Sequence, residues 1–178
     1  LIASKGSSTF SAITPMGRQH ENDREATAAD LKWLADPAEE PEPFGDGGTK
    51  MAWNTFNVVS IYPNGNPVMS DVNQRWVGDC CACAVIASMA YLYPRFVKHI
   101  IKDNMDKTYT VTMYDPKGKQ ISVGVGGDYF IGNSGDLGAL GGRNKEVTWA
   151  TILEKAMIKW NQIYQGSSNV GGIGTEYV

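Results

Sequence analysis

The run from Cys80 to Tyr93, Cys-Cys-Ala-Cys-Ala-Val-Ile-Ala-Ser-Met-Ala-Tyr-Leu-Tyr, restricts the fold more than any other stretch of this chain. About 14 small and apolar residues with no turn signal among them are too many for an ordinary strand. The alanine content favours a helix, and Pro94 closes it. Such a helix is predicted to be buried, so the rest of the chain has to cover it.

What can cover it follows from the periodicities on either side. Phe56 to Tyr62 is β-branched and aromatic and ends in the turn signal Pro63-Asn64-Gly65-Asn66-Pro67, which predicts a short strand. Phe96 to Asn104 reads as a second short helix. Tyr109–Tyr114 and Gln120–Val125 alternate apolar and polar residues on either side of Asp115-Pro116-Lys117-Gly118-Lys119, the clearest hairpin in the chain. Gly124 to Gly142 reads as a flexible, glycine-rich surface connection near a cleft. Thr148 to Trp160 carries Trp149, Ile152, Leu153, Ala156 and Trp160 on one helical face, with Glu154 and Lys155 left for the helix surface or a neighbouring subdomain. These elements define an α+β class.

The first 50 residues are different in kind. Pro37, Pro41 and Pro43 alternate with Glu39, Glu40 and Glu42, which disfavours a packed core. Residues 1–50 therefore read as a polar, partly flexible extension and 51–178 as the folded part. Inside the extension, Leu31 and Leu34 fall at helical spacing, Thr27 or Asp30 can cap, and Pro37 stops the turn, predicting a short helix over Ala28–Ala35. The chain starts without Met and without a signal-peptide core, which reads as a cut or processed end. A net charge of −3 over 178 residues supplies no basic stripe for phosphates, so nucleic acid is not an expected partner. No stretch reaches the roughly 18 consecutive apolar residues of a membrane span.

All three cysteines lie in Cys80-Cys81-Ala82-Cys83, where a polar loop meets the start of the long helix. Three readings are open. Unpaired cysteines pack as small apolar residues. The Cys80-x-x-Cys83 spacing suits a redox disulfide or half of a zinc site, although His20 and His99 lack the paired spacing that would complete a metal site, and no apolar strand feeds the motif. The third reading is nucleophilic catalysis. The first turn of a helix stabilises a thiolate through its unpaired amides and its dipole, and Cys80 is the residue so placed. Gln74, six positions earlier, can fold back across the Gly78 turn and offer its side-chain amide, beside the Cys80 backbone N–H, to a developing oxyanion.

Asp71-Val72-Asn73-Gln74-Arg75-Trp76-Val77-Gly78-Asp79-Cys80, followed by the small apolar helix, resembles the active-site segment of the calpain-type cysteine peptidases: Gln, four residues ending in Gly, Asp, then the nucleophilic Cys. Trp149-Ala150-Thr151-Ile152-Leu153-Glu154-Lys155-Ala156 is similar to that family's Trp-x-x-Leu-Leu-Glu-Lys-Ala helix. The likeness spans roughly Asp71 to Gly172 and is nearest in flavour to bacterial members. Cys81 stands where calpains usually carry Trp, but the spacing from Gln74 selects Cys80.

The resemblance implies a papain-like fold, of which this chain is the helical, Cys-bearing subdomain with its β-hairpin, without the β-rich subdomain that supplies His and Asn. It implies an endopeptidase with Cys80 as nucleophile and Gln74 as oxyanion donor, acting on protein or peptide substrates with no obligatory cofactor. It also implies a calcium site through Asp71, the turn at Asn64 and Asn66, and a position occupied by Gln165, where an amide replaces the family's carboxylate. His20 sits in the polar extension. His99 lies beyond a helix about 20 Å long. A companion chain from the same precursor, or a further C-terminal segment, is therefore expected to bring the catalytic His and Asn. A processed chain of this kind suits a secreted or surface bacterial peptidase. A catalytically inactive binding or regulatory relative, and a thiol–disulfide protein, are the alternatives.

Overall fold

Alternating side chains build the hairpin where the sequence places it. In β3 (Tyr109–Tyr114) and β4 (Gln120–Val125), Tyr109, Val111, Ile121, Val123 and Val125 turn inward, with Tyr109 opposite Val125 and Tyr114 opposite Gln120. The turn closes because Asp115 Oδ1 accepts the amides of Lys117 (3.0 Å) and Lys119 (2.7 Å) and Gly118 adopts φ +80°. These elements belong to a computed structural model that describes residues 24–41, 52–132 and 134–165. It is a small α+β fold.

The long helix α2 (Cys80–Leu92) is followed by α3 (Pro94–Ile100), which turns away by 112° at Pro94. α2 is buried along Ala82, Ile86 and Ala90 only, and its other side is exposed. The second helix was expected to run to Asn104. It stops at Ile100 because β2 (Ile101–Asp103) pairs with the open edge of β3, Ile101 facing Val111, and so completes a three-stranded antiparallel sheet in the order β2-β3-β4. A second, two-stranded sheet joins β1 (Ala52–Thr55) to β5 (Asp128–Ile131), with Ala52 opposite Ile131 and Thr55 opposite Asp128. The strand expected over Phe56–Tyr62 therefore lies earlier in the chain. β5 begins just after Gly126-Gly127, so the ladder has no partner beyond Thr55, and Phe56 and Val58 pack on the core without pairing. Among the described residues no single helix is long and apolar enough to cross a membrane.

The centre of the fold is α4 (Trp149–Tyr164), capped by Thr148, whose hydroxyl accepts the Ala150 amide. A one-faced amphipathic helix was expected. Instead every residue except Met157, Trp160 and Gln162 is buried, Glu154, Lys155 and Lys159 included. A buried ammonium needs partners. Lys155 pairs with Glu40 at 2.6 Å, donates to the Asp128 carbonyl at 2.5 Å, and lies 4.5 Å from the Trp53 ring centre. Lys159 donates to the carbonyls of Asp36 (2.8 Å) and Gly124 (2.9 Å) beneath the Trp33 ring. Burial depresses both ammonium groups, Lys159 to about 8.

These lysines bind the N-terminal segment to the core. α1 (Ala28–Ala35) forms as its signals require, with Thr27 and Asp30 exchanging hydrogen bonds in a capping box. Residues 24–41 are then part of the packed body, with Leu34 fully buried and Asp36 and Glu40 held by Lys159 and Lys155. Gly124 makes this contact possible: a Cβ there would lie 2.3 Å from the Ala35 carbonyl oxygen. The glycine-rich connection, expected to be a flexible surface loop, is mostly buried from Gly124 to Gly126 and from Leu137 to Gly142. We predict that Leu34→Ala lowers the unfolding free energy by about 2–4 kcal/mol in urea titrations. An unchanged midpoint would mean that α1 is only a tether.

Candidate active site

The loop that leads to Cys80 is anchored by Asp71. This buried carboxylate accepts the Trp149 indole N–H at 2.7 Å, the Val68 amide at 3.2 Å and the Asn64 side-chain amide at 3.0 Å, while the Asp71 carbonyl accepts the Thr148 hydroxyl at 3.0 Å. One residue thus ties the start of the loop to the N-terminus of α4. The glycine-rich segment holds the next stretch by backbone pairing. The Asn73 amide donates to the Gly141 carbonyl (2.9 Å), the Trp76 amide to Gly138 (3.0 Å), and the Arg75 guanidinium to Gly142 (2.6 Å). Trp76, half exposed, lies across Gly132, where a Cβ would sit 2.4 Å from the indole nitrogen.

Val77 is buried, the Asp79 amide donates to the Val77 carbonyl, and the Cys83 amide donates to the Asp79 carbonyl at 3.0 Å. This tight turn makes Asp79 the residue before the helix and Cys80 its first residue. Cys80 is exposed, Cys81 is half-buried, and Cys83 turns inward to donate its S–H to Asp79 Oδ1 at 3.3 Å. Burial, with the Asp79 carboxylate beside it, pushes the Cys83 thiol far up, which keeps it protonated.

Behind the cysteines sits a pair of carboxyl groups. Asp79 and Glu154 are each only 1% exposed. Glu154 Oε2 accepts the Leu140 amide at 2.8 Å, whereas Glu154 Oε1 and Asp79 Oδ2 are buried with no well-formed hydrogen bond among the described residues, the Gln74 amide being the nearest donor to Asp79. Two such oxygens in contact are satisfied when the pair shares one proton. Burial raises both groups above the usual carboxylate range, Glu154 most strongly, with the Asp79 charge next to it as a further cause.

The residues singled out from sequence fall as follows. Cys80 is at the expected helix start. Gln74 is exposed at the other end of the turn, and its amide donates to the Val77 carbonyl at 2.9 Å and lies near Asp79, so it is directed into its own loop and not toward an oxyanion. The four residues suggested for calcium do not converge. Asp71 and Asn64 meet, and both Asp71 oxygens already accept protein hydrogen bonds; Asn66 is exposed in the turn; Gln165 caps the far end of α4. Asp71 is bonded to the first residue of that helix, and a 16-residue helix is about 24 Å long. His99, the only histidine among the described residues, is exposed on α3 beyond the far end of α2. His20 lies outside the described residues. The sequence reading missed the Cys83–Asp79–Glu154 cluster. Its signal was a carboxylate inside the otherwise apolar face of the α4 segment.

No protein-family model matches the chain, and no curated protein matches it significantly.

The carboxyl pair gives a pH prediction. A raised carboxyl contributes stability that is complete below its unfolded value, about pH 4, and is lost as pH rises through the higher folded value. Relative to Glu154→Gln, the wild-type protein should therefore lose stability as pH rises from about 4 to 8. Urea titrations of both proteins across that range check this, and parallel curves would show that the pair shares no proton.

Proposed function

We propose that this chain is the Cys-bearing part of a calpain-like cysteine peptidase with a papain-like fold. It would hydrolyse peptide bonds through a thioacyl intermediate on Cys80, with the His and Asn supplied by a separate chain or a further segment. The observation that carries the reading is the placement of the three thiols: Cys80 is the exposed one, and it is the first residue of α2, where backbone amides without helical partners can meet an oxyanion. The spacing Gln74, Gly78, Asp79, Cys80 and the Glu154-Lys155-Ala156 helix support the family assignment.

A base is required as well, because an imidazole must hold the thiolate and protonate the leaving amine. A companion chain is consistent with the apolar surface at the α2–α3 corner, where Tyr91, Leu92, Tyr93 and Phe96 are all exposed. In this arrangement Gln74 would have to release one of its two N–H groups from its own loop to serve the oxyanion. A catalytically inactive binding or regulatory relative is the second reading.

Two outcomes are expected. Iodoacetamide should label Cys80 first and Cys83 last in time-resolved peptide mapping; fast labelling of Cys81 or Cys83 would remove Cys80 as the nucleophile. The isolated 178-residue chain should not hydrolyse a fluorogenic peptide, and should gain activity when mixed with a chain carrying the His and Asn segments. Failure to gain activity although the two chains bind would favour the inactive relative.

A further inference from the structure

We infer that Cys83 is a resolving thiol for Cys80, so that an oxidant converts the pair into a reversible disulfide across the first turn of α2. The consequence for catalysis, a locked nucleophile, rests on the peptidase reading above; the disulfide itself does not.

The geometry supplies what the reaction needs. Residues three apart on a helix have Cα atoms about 5 Å apart, inside the roughly 4.4–6.8 Å that a disulfide spans. Cys80 faces solvent and can meet a peroxide, whereas Cys83 is turned inward, donating to Asp79 at 3.3 Å. A buried thiol resolves a partner only if something takes its proton. Asp79 is the acceptor in contact, and Glu154 behind it holds the shared proton that lets two buried carboxyls coexist. In the resting protein Cys83 stays a thiol and the pair stays open, as all three cysteines are here.

The chemistry balances with a peroxide as oxidant. The Cys80 thiolate attacks the outer peroxide oxygen, the O–O bond breaks, and the peroxide is reduced to water or an alcohol while Cys80 becomes a sulfenic acid. Cys83 sulfur then attacks the Cys80 sulfur, its proton passing to Asp79 Oδ1. Hydroxide leaves, takes up that proton through solvent, and departs as water. With hydrogen peroxide the sum is two thiols and one peroxide giving one disulfide and two waters. Cys81 is not the partner on this scheme, since among the described residues its recorded neighbour is Cys80 itself and no carboxylate accepts its S–H.

The test treats the full chain with hydrogen peroxide and follows intact mass and peptide maps. The wild-type protein should lose two hydrogens, yield a Cys80–Cys83 linked peptide, resist iodoacetamide at both positions, and return to the starting state with dithiothreitol. Cys83→Ser should instead gain one and then two oxygens on Cys80, irreversibly at the second. Asp79→Asn, which keeps the size and shape of the side chain and an oxygen facing Cys83 but accepts no proton, should slow disulfide closure at least tenfold while leaving the rate of the first oxidation within about twofold. Oxygen addition to the wild-type Cys80 without a disulfide, or a Cys80–Cys81 linkage, would overturn the proposal, and so would closure at the wild-type rate in Asp79→Asn. A mapped Cys80–Cys83 disulfide in a protein that never gains peptidase activity would sink the peptidase reading and leave the disulfide standing.

Discussion

The fold depends on one constraint: α4 is buried on nearly every side yet carries Thr151, Glu154, Lys155 and Lys159, so each of these must find a partner inside the protein. The partners come from different parts of the chain. Thr151 donates to the Leu140 carbonyl, Glu154 accepts the Leu140 amide and meets Asp79, Lys155 takes Glu40 and the Asp128 carbonyl, and Lys159 takes the Asp36 and Gly124 carbonyls. Satisfying the polar groups of one helix therefore sets the positions of the N-terminal strap, the end of β4, the start of β5, the glycine-rich segment and the turn before Cys80. Removing any one partner would leave a buried polar group unmet, a larger penalty than the net worth of the bond itself.

This explains how the candidate site can be both loop-built and fixed. The 71–79 loop has no regular structure beyond a short 3-10 turn at Met69–Asp71. It is held at one end by Asp71 on Trp149, along its length by backbone bonds to Gly138 and Gly141 and by the Arg75 guanidinium on the Gly142 carbonyl, and at the other end by Asp79 against Glu154. The glycines matter here because a Cβ at Gly138 or Gly141 would strike the segment's own backbone at Gly132 or Glu146, and one at Gly132 would strike the Trp76 ring. Cys80 is thereby presented at the surface by a support that is almost wholly internal.

Local signals carried much of this into the sequence. The capping box at Thr27, the Pro94 stop, the hairpin register around Gly118 and the start of α2 at Cys80 are all fixed by neighbours within a few residues, and each can be read directly. The misreadings share one cause. Whether 101–103 pairs with β3, whether the chain before Phe56 finds β5, and whether Glu154 and Lys155 face water or protein are decided by residues far away in sequence. Periodicity treats a lysine as a solvent marker, and it has no means of seeing the Glu40 that waits more than a hundred positions earlier. Asp71 and Gln165, grouped from the sequence, are placed at opposite ends of one helix for the same reason.

The clamp between residues 24–41 and α4 also bears on synthesis. Leu34, Asp36 and Glu40 leave the ribosome early, while the lysines that receive them belong to the last described helix. The contacts that complete the core are thus among the longest in sequence separation, and such closures come late and slow folding. During translation the early helix must wait with Leu31 and Leu34 at best partly covered by β4, and the proline- and glutamate-rich stretch beside it would keep that waiting segment soluble until α4 emerges.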